Sequence, residues 1–342
     1  MTGTRSPSSL LAFLLALPAQ APGQAGPPPP GRLVDIGGQL LHVYCTGHGN
    51  PTVLLESGTG DFSFIWALVQ PGVSSFTRVC SYDRGGYAWS QPGHRPRSFA
   101  QLSLELRTAL SRLHVEPPYV LAGQSYGGLV VRGFAAAYPT DVAGMVLVDA
   151  VQEDQHIVYG GQPHRIRDAA RGRAFPAPRI ALDSALLEQV ADSHPRPSTA
   201  PLDPPLDRLP VNAQRLWRWA ESRPLSGLAQ EAELDWSPEE LARFHDQRRG
   251  HRDTLGDLPL IVLARTSGGY ADGMDISADS LERERRALQS DLAALSRRGV
   301  LRYAPHSGHN IHLEDPAFVI AAIRDVVAAV RKSHHAGRGP GA

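Results

Sequence analysis

Ser125 lies in the pentapeptide Gly123-Gln124-Ser125-Tyr126-Gly127, between an apolar run, Tyr119-Val120-Leu121-Ala122, and a helix-like run from Leu129 to Tyr138 closed by Pro139. A serine on so sharp a strand-to-helix turn takes a strained backbone, and the residues two places to either side must be small to avoid collision. Gly123 and Gly127 meet that need. The turn pushes the hydroxyl into the open at a strand end, with a helix N-terminus behind it that favours developing negative charge. A serine hydroxyl is a poor nucleophile at neutral pH, so it needs a base to take its proton and a third group to hold that base. His309 is the best base: it follows a short strand, in a turn beside Gly308, just before the last helix. His306 and His312 are the alternatives. Three histidines so spaced also raise a metal site. With no carboxylate or cysteine beside them the donor set is incomplete, and no metal is expected.

The elements that must position these groups follow from periodicity. Leu33-Val34-Asp35-Ile36 and Leu40-Leu41-His42-Val43-Tyr44-Cys45 flank Gly37-Gly38 and read as a hairpin. Further strands are expected at 52–56, 78–82, 119–122, 145–149, 258–264 and 300–303, with helices over 98–113, 280–297 and from Asp315-Pro316 to about Lys332. Strands separated by helices give a mostly parallel sheet with helices on both faces. The alternation stops over 152–256, a stretch rich in Arg and Pro with helical patches at 184–190, 212–220 and 238–245. That length is unusual for a connection and reads as a helical cap or lid inserted between two strands. Two segments, 32–151 and 257–332, then form the body. Ser125, Asp149 and His309 all fall at carboxyl ends of strands, where open α/β sheets place their sites.

The 342 residues carry 34 basic and 34 acidic side chains and no net charge. Nothing resembles the basic stripe that nucleic-acid binding needs. At the start of the chain, Arg5 precedes the apolar run from Leu10 to Leu17 and then Pro18-Ala19-Gln20-Ala21, the pattern of a secretory signal peptide. The run is too short to span a membrane. Export to a secreted or periplasmic location is the expectation, with a cytoplasmic location as the alternative. Gly26-Pro27-Pro28-Pro29-Pro30-Gly31 reads as a stiff linker closing a 1–31 leader, and 333–342 as a frayed tail. The two cysteines, Cys45 and Cys80, are either a disulfide of an exported protein or two buried thiols.

Four pieces carry a family resemblance: Ser57-Gly58-Thr59-Gly60 with Trp66; Tyr82-Asp83-Arg84-Gly85-Gly86-Tyr87-Ala88-Trp89-Ser90; Gly123-Gln124-Ser125-Tyr126-Gly127-Gly128; and Ser307-Gly308-His309. From about Leu33 to Val330 the chain resembles the α/β-hydrolase superfamily. Two positions depart from its pattern. Ser57-Gly58 replaces the histidine-glycine pair common in the oxyanion loop, and Ala88 stands where glycine is frequent. The resemblance implies an eight-stranded, mostly parallel sheet and the chain order serine, acid, histidine. The catalytic set it implies is Ser125, His309 and an acid. Asp149 is preferred to Asp272 or Asp275, because the loop carrying those two matches the family poorly and a buried Asp149 would need a partner such as a His N–H. Backbone N–H groups of Tyr126 and Thr59 would form the oxyanion hole. Asp83 and Arg84 would shape a loop, and the implied strand order sets Cys45 beside Cys80 for a cross-strand disulfide. Trp217, Trp219, Trp236 and Phe244 would pack the cap onto the body. The function implied is cleavage of a small-molecule carboxylic ester through an acyl-enzyme, with no cofactor. A related peptidase or acyltransferase, or a non-catalytic ligand binder on the same fold, are the alternatives. Epoxide hydrolases and dehalogenases of this fold use an aspartate where Ser125 stands. Oligomeric state and acyl-chain preference leave no signal in the sequence.

Overall fold

The computed structural model describes residues 26–170, 190 and 197–336. Residues 1–25 of the expected leader, the 184–190 patch except Val190, and residues 337–342 lie outside them. Eight strands form the main sheet: β1 (Arg32–Asp35), β2 (Leu40–Thr46), β3 (Thr52–Glu56), β4 (Val79–Tyr82), β5 (Tyr119–Gln124), β6 (Val142–Val148), β9 (Leu260–Arg265) and β10 (Gly299–Ala304). Their order is β1-β2-β4-β3-β5-β6-β9-β10. Only the β1–β2 and β2–β4 pairs are antiparallel, so the mostly parallel eight-stranded sheet is as expected. The short hairpin β7–β8 (His156–Tyr159 and Gln162–Arg165) stands apart.

The central strands are apolar throughout because both their faces are covered. Side chains alternate between the faces. Val53 and Leu55 of β3 join one core, with Val120, Val146 and Leu263 and with Val319, Ile323 and Val327 from the last helix. Leu54 joins the other, with Leu121, Leu147 and Val262 and with Leu106, Leu110 and Phe134 from two helices on the opposite face. Those two are α2 (Phe99–Arg112) and α3 (Tyr126–Ala137); α1 is Gln70–Ser74. Ser98 caps α2 by accepting from the Gln101 N–H.

The inserted segment contributes α4 (Val211–Glu221), α5 (Pro224–Leu234) and α6 (Ser237–Arg248). Patches 212–220 and 238–245 correspond to α4 and α6, whereas α5 left no clear period in the sequence. Trp217 of α4 meets Phe62 edge-on at 5.2 Å, and Phe244 of α6 stacks on Phe99 at 5.4 Å. Helices α4 and α6 therefore meet the body through aromatic contacts. The body closes with α7 (Ala278–Ala293), α8 (Ile311–Glu314) and α9 (Pro316–Ala336). Asp315 caps α9 through the Phe318 N–H.

Two expectations need correction. The 333–342 tail was expected to fray, yet α9 continues four residues beyond Lys332, to Ala336. Its propensity holds it, since no glycine or proline intervenes before that point. The proline-rich 26–31 stretch does not stand clear of the body. Trp89 donates its indole N–H to Pro27 O at 2.7 Å, the ring of His42 meets Pro30 O, and Gly26 lies against the Trp219 ring, where a Cβ would come within 2.6 Å. Proline carbonyls are free acceptors in an extended segment, and this body offers them donors.

Cys45 and Cys80 face each other in the β2–β4 register and form a disulfide. Maleimide labelling of the native protein should modify neither cysteine without reductant and both after reduction and unfolding. Labelling of the unreduced native protein would contradict the structure.

Candidate active site

Ser125 joins the end of β5 to the start of α3 with φ of 52° and ψ of −121°. The strain that its local sequence calls for is present, and glycine lets the chain close around it. A Cβ on Gly123 would lie 2.4 Å from Gly127 O, and one on Gly127 would lie 2.6 Å from Glu56 O. The Ser125 N–H donates to Val148 O at 3.1 Å, and its carbonyl accepts from Gly128 and Val151. Ser125 is half-buried, and its hydroxyl hydrogen-bonds to no described residue. Tyr126 is the first residue of α3, where a backbone N–H has no carbonyl partner within the helix. Thr59 lies in the loop after β3, and its neighbour Gly58 packs on the serine: a Cβ there would sit 3.4 Å from Ser125 Cβ.

Asp149 directly follows β6. Gln124 and Val148 are register partners, so Ser125 and Asp149 leave adjacent parallel strands side by side. Asp149 also has a positive φ, 40°. It is 4 % exposed. Its Oδ2 meets His309 Nδ1 at 2.8 Å, while Oδ1 accepts from the Arg265 N–H at 3.1 Å and from Arg285 Nη1 at 2.9 Å. With Nδ1–H given to the carboxylate, His309 Nε2 is an acceptor, and Gln124 Nε2 stands 3.4 Å from it. The residue before the serine thus occupies the face that the serine would have to reach. Asp272 and Asp275 are both exposed, and neither hydrogen-bonds to His309. His306 is exposed at φ of 63°. His312 is fully buried against Trp66, 5.0 Å between rings; burial, and after it the charge of His309, holds it down to about 3, so it stays neutral. Among the described residues, no group of three or more His, Cys, Asp or Glu could hold a metal ion.

Sequence reading missed the groups that hold the site together. Arg285 sits on α7, 136 residues from Asp149. Gln124 carried no signal beyond being the variable position of its motif. Ala88 is a departure with a visible consequence: its φ is 40°, a left-handed value that explains why glycine is favoured there.

Residues 48–322 match the family described as "Alpha/beta hydrolase family". An "AB hydrolase superfamily protein" of Gibberella zeae is 25% identical over 301 residues, covering 82% of this chain and 87% of that one. A thermophilic esterase from Thermogutta terrifontis superposes with a TM-score of 0.55 at 20% identity, over 85% of this chain and 94% of that one. The enol-lactonase from Burkholderia xenovorans LB400 gives a TM-score of 0.57 at 19% identity, over 87% and 100%. At these identities the two structures show a shared fold.

Asp61 adds a second carboxyl beside the serine. A Cβ on Gly58 would lie 2.9 Å from Asp61 Oδ2 and 2.4 Å from Gln124 Oε1, so the two side chains meet across that glycine. Part of the Asp61 surface reaches solvent, yet burial of its carboxyl pushes it up to about 6, against the opposing pulls of Arg84, His309 and the Gly58 N–H. A carboxyl raised in the folded state is protonated there after the unfolded chain has ionised. Its contribution is complete below the ordinary 3.8 and is lost as pH rises towards 6. Denaturant titrations across that window should show this fall in stability, and Asp61→Asn should flatten it. An identical slope in the variant would contradict the assignment.

Proposed function

The chain belongs to the alpha/beta hydrolase family, and from that premise we propose that it is a serine hydrolase cleaving carboxylic esters through an acyl-enzyme. One observation carries the reading: a serine strained at φ of 52° stands next in the chain to a glutamine that touches an imidazole anchored by a buried aspartate. Nucleophile, base and orienting acid are the parts acyl transfer needs.

In this reading Ser125 Oγ attacks the ester carbonyl while His309 Nε2 takes its proton. Asp149 keeps the Nδ1–H in place and balances the imidazolium that forms. The N–H groups of Tyr126 and Thr59 receive the oxyanion, a contribution whose single-donor loss costs about 10²–10³ in rate. The imidazolium returns its proton to the departing alkoxide. Water, deprotonated by the same nitrogen, then releases the acid and restores Ser125. In the substrate-free protein Gln124 rather than Ser125 lies against Nε2. Catalytic hydrogen bonds often tighten only once substrate is bound. An aspartate nucleophile, which epoxide opening on this fold uses, has no place here because position 125 is serine. The esterase and enol-lactonase that share the fold act, by their names, on an ester and a lactone, and this supports an ester substrate. The Cys45–Cys80 disulfide supports export to an oxidising compartment.

A panel of p-nitrophenyl esters of increasing acyl length tests the reading. Wild type should turn over at least one member, Ser125→Ala none. Asp149→Asn should lower kcat by about 10⁴-fold, as loss of the orienting carboxylate does elsewhere. Asp272→Asn and Asp275→Asn should leave it unchanged. Loss of turnover confined to a folded Asp272 or Asp275 variant would move the acid to the later loop. A folded wild type inert to every ester would favour a ligand binder.

A further inference from the structure

Arg84 follows β4 and is 3 % exposed. Sequence reading gave it only a loop to shape. The structure puts its guanidinium where three walls of the site meet. Nη1 donates to Glu56 Oε1 at 2.7 Å and to Ser57 O at 2.8 Å. Nη2 donates to Gly58 O at 2.8 Å. Nε donates to Glu233 Oε1 at 2.9 Å, and Glu233 is on α5 of the cap. The second oxygen of Glu233 accepts from Tyr87 OH at 2.9 Å. The same guanidinium stands 4.9 Å from the ring of Tyr87 and 5.7 Å from the ring of Tyr126.

Two of these contacts control backbone direction. A trans peptide is planar, with its C=O and N–H pointing to opposite sides. A guanidinium that grips Gly58 O therefore turns the Thr59 N–H away from Arg84, and its grip on Ser57 O does the same for the Gly58 N–H. The loop residue assigned as an oxyanion donor is thus aimed by a side chain behind it. Arg84 keeps its fork in place only while Glu56 and Glu233 satisfy its charge, because a buried cation without partners is expensive. Glu233 arrives with the cap. Arg97, 4.0 Å from Glu233 and 2.5 Å from Glu105, supplies the second cation of the cluster.

We propose that Arg84 is a positioning residue that ties the seating of the cap, through Glu233, to the aim of the Thr59 oxyanion donor. The proposal rests on the serine-hydrolase reading above. A cap that seats brings in the carboxylate that fixes the guanidinium, and the guanidinium fixes the loop. A cap displaced from the body leaves the guanidinium short of one carboxylate and the Ser57-Gly58 carbonyls less firmly held.

The test compares wild type, Arg84→Lys and Glu233→Gln on the best p-nitrophenyl ester, and measures inhibition by a trifluoromethyl ketone, whose adduct with the serine carries an oxyanion. Folding is checked by circular dichroism and thermal melting. Lys keeps the charge but cannot reach four acceptors in a plane. Arg84→Lys should lose on the order of 10²-fold in kcat, the low end for loss of one oxyanion donor, with KM little changed. Affinity for the ketone should fall in step with kcat. Glu233→Gln keeps the shape of the side chain, and should show the same pattern with a smaller loss. If Arg84→Lys does not fold, Glu233→Gln decides alone. A folded variant with wild-type kcat and ketone affinity overturns the proposal, and so does a loss confined to KM. A wild-type protein that neither turns over esters nor binds the ketone fails at the underlying reading instead.

Discussion

The site depends on one backbone constraint: two residues at the carboxyl ends of adjacent parallel strands are both held at positive φ. Ser125 after β5 and Asp149 after β6 leave the sheet in register, at φ of 52° and 40°. Left-handed backbone at a non-glycine residue costs about 1–3 kcal/mol and persists only where the surroundings over-determine it. Here they do. Ser125 is tied to Val148 and Val151 through both backbone groups, and Asp149 donates to Leu263 O on the next strand. Glycines at 123 and 127 let neighbouring backbone come within contact of the turn, and Gly58 leaves room for the side chains of Gln124 and Asp61. His309 is brought from two strands away by a loop that is itself pinned. Ser307 O accepts from the Thr266 and Ser267 N–H groups, and Gly308 N–H donates to Glu314.

Electrostatics then decides what this geometry can do. The buried carboxylate of Asp149 is met by a backbone N–H, a guanidinium and an imidazole, so both of its oxygens have hydrogen-bond partners. Arg285 fixes the carboxylate, and the carboxylate fixes the ring. The same logic recurs behind the Ser57-Gly58-Thr59 loop, where Arg84 is shared between Glu56 and Glu233. It recurs again at the end of α6, where Glu153 pairs with both Arg132 and Arg248. Ion pairs this deeply buried contribute little net stability, because desolvation offsets their attraction. Their geometry still permits few alternatives, which suits them to fixing the seat of an inserted segment.

Much of this was legible in the chain. The apolar runs of β3 to β6 announced a sheet covered on both faces, and Gly123 to Gly127 announced the turn because local sterics allow few residues there. Asp149 could be read as a buried acid at a strand end that would need a partner. What could not be read was anything created only by tertiary contact. Arg285 is one arginine among several on a charged helix, and its facing of Asp149 follows from the packing of α7. Asp61 looks like an ordinary loop acid until Gly58 brings it to Gln124. The α5 helix, which carries Glu233, showed no usable period because its buried face is made mostly of alanine and serine. The Cys45–Cys80 pair became legible only once a strand order was supplied.

The central claim is that Ser125, His309 and the two backbone donors act on one bound acyl group. The most direct measurement is a crystal structure of the protein after reaction with a fluorophosphonate. The account expects a single covalent adduct on Ser125 Oγ, with the phosphonyl oxygen at hydrogen-bond distance from the Tyr126 and Thr59 N–H groups and His309 Nε2 beside the adduct. A folded protein that remains unmodified, or one modified at another residue, would contradict it.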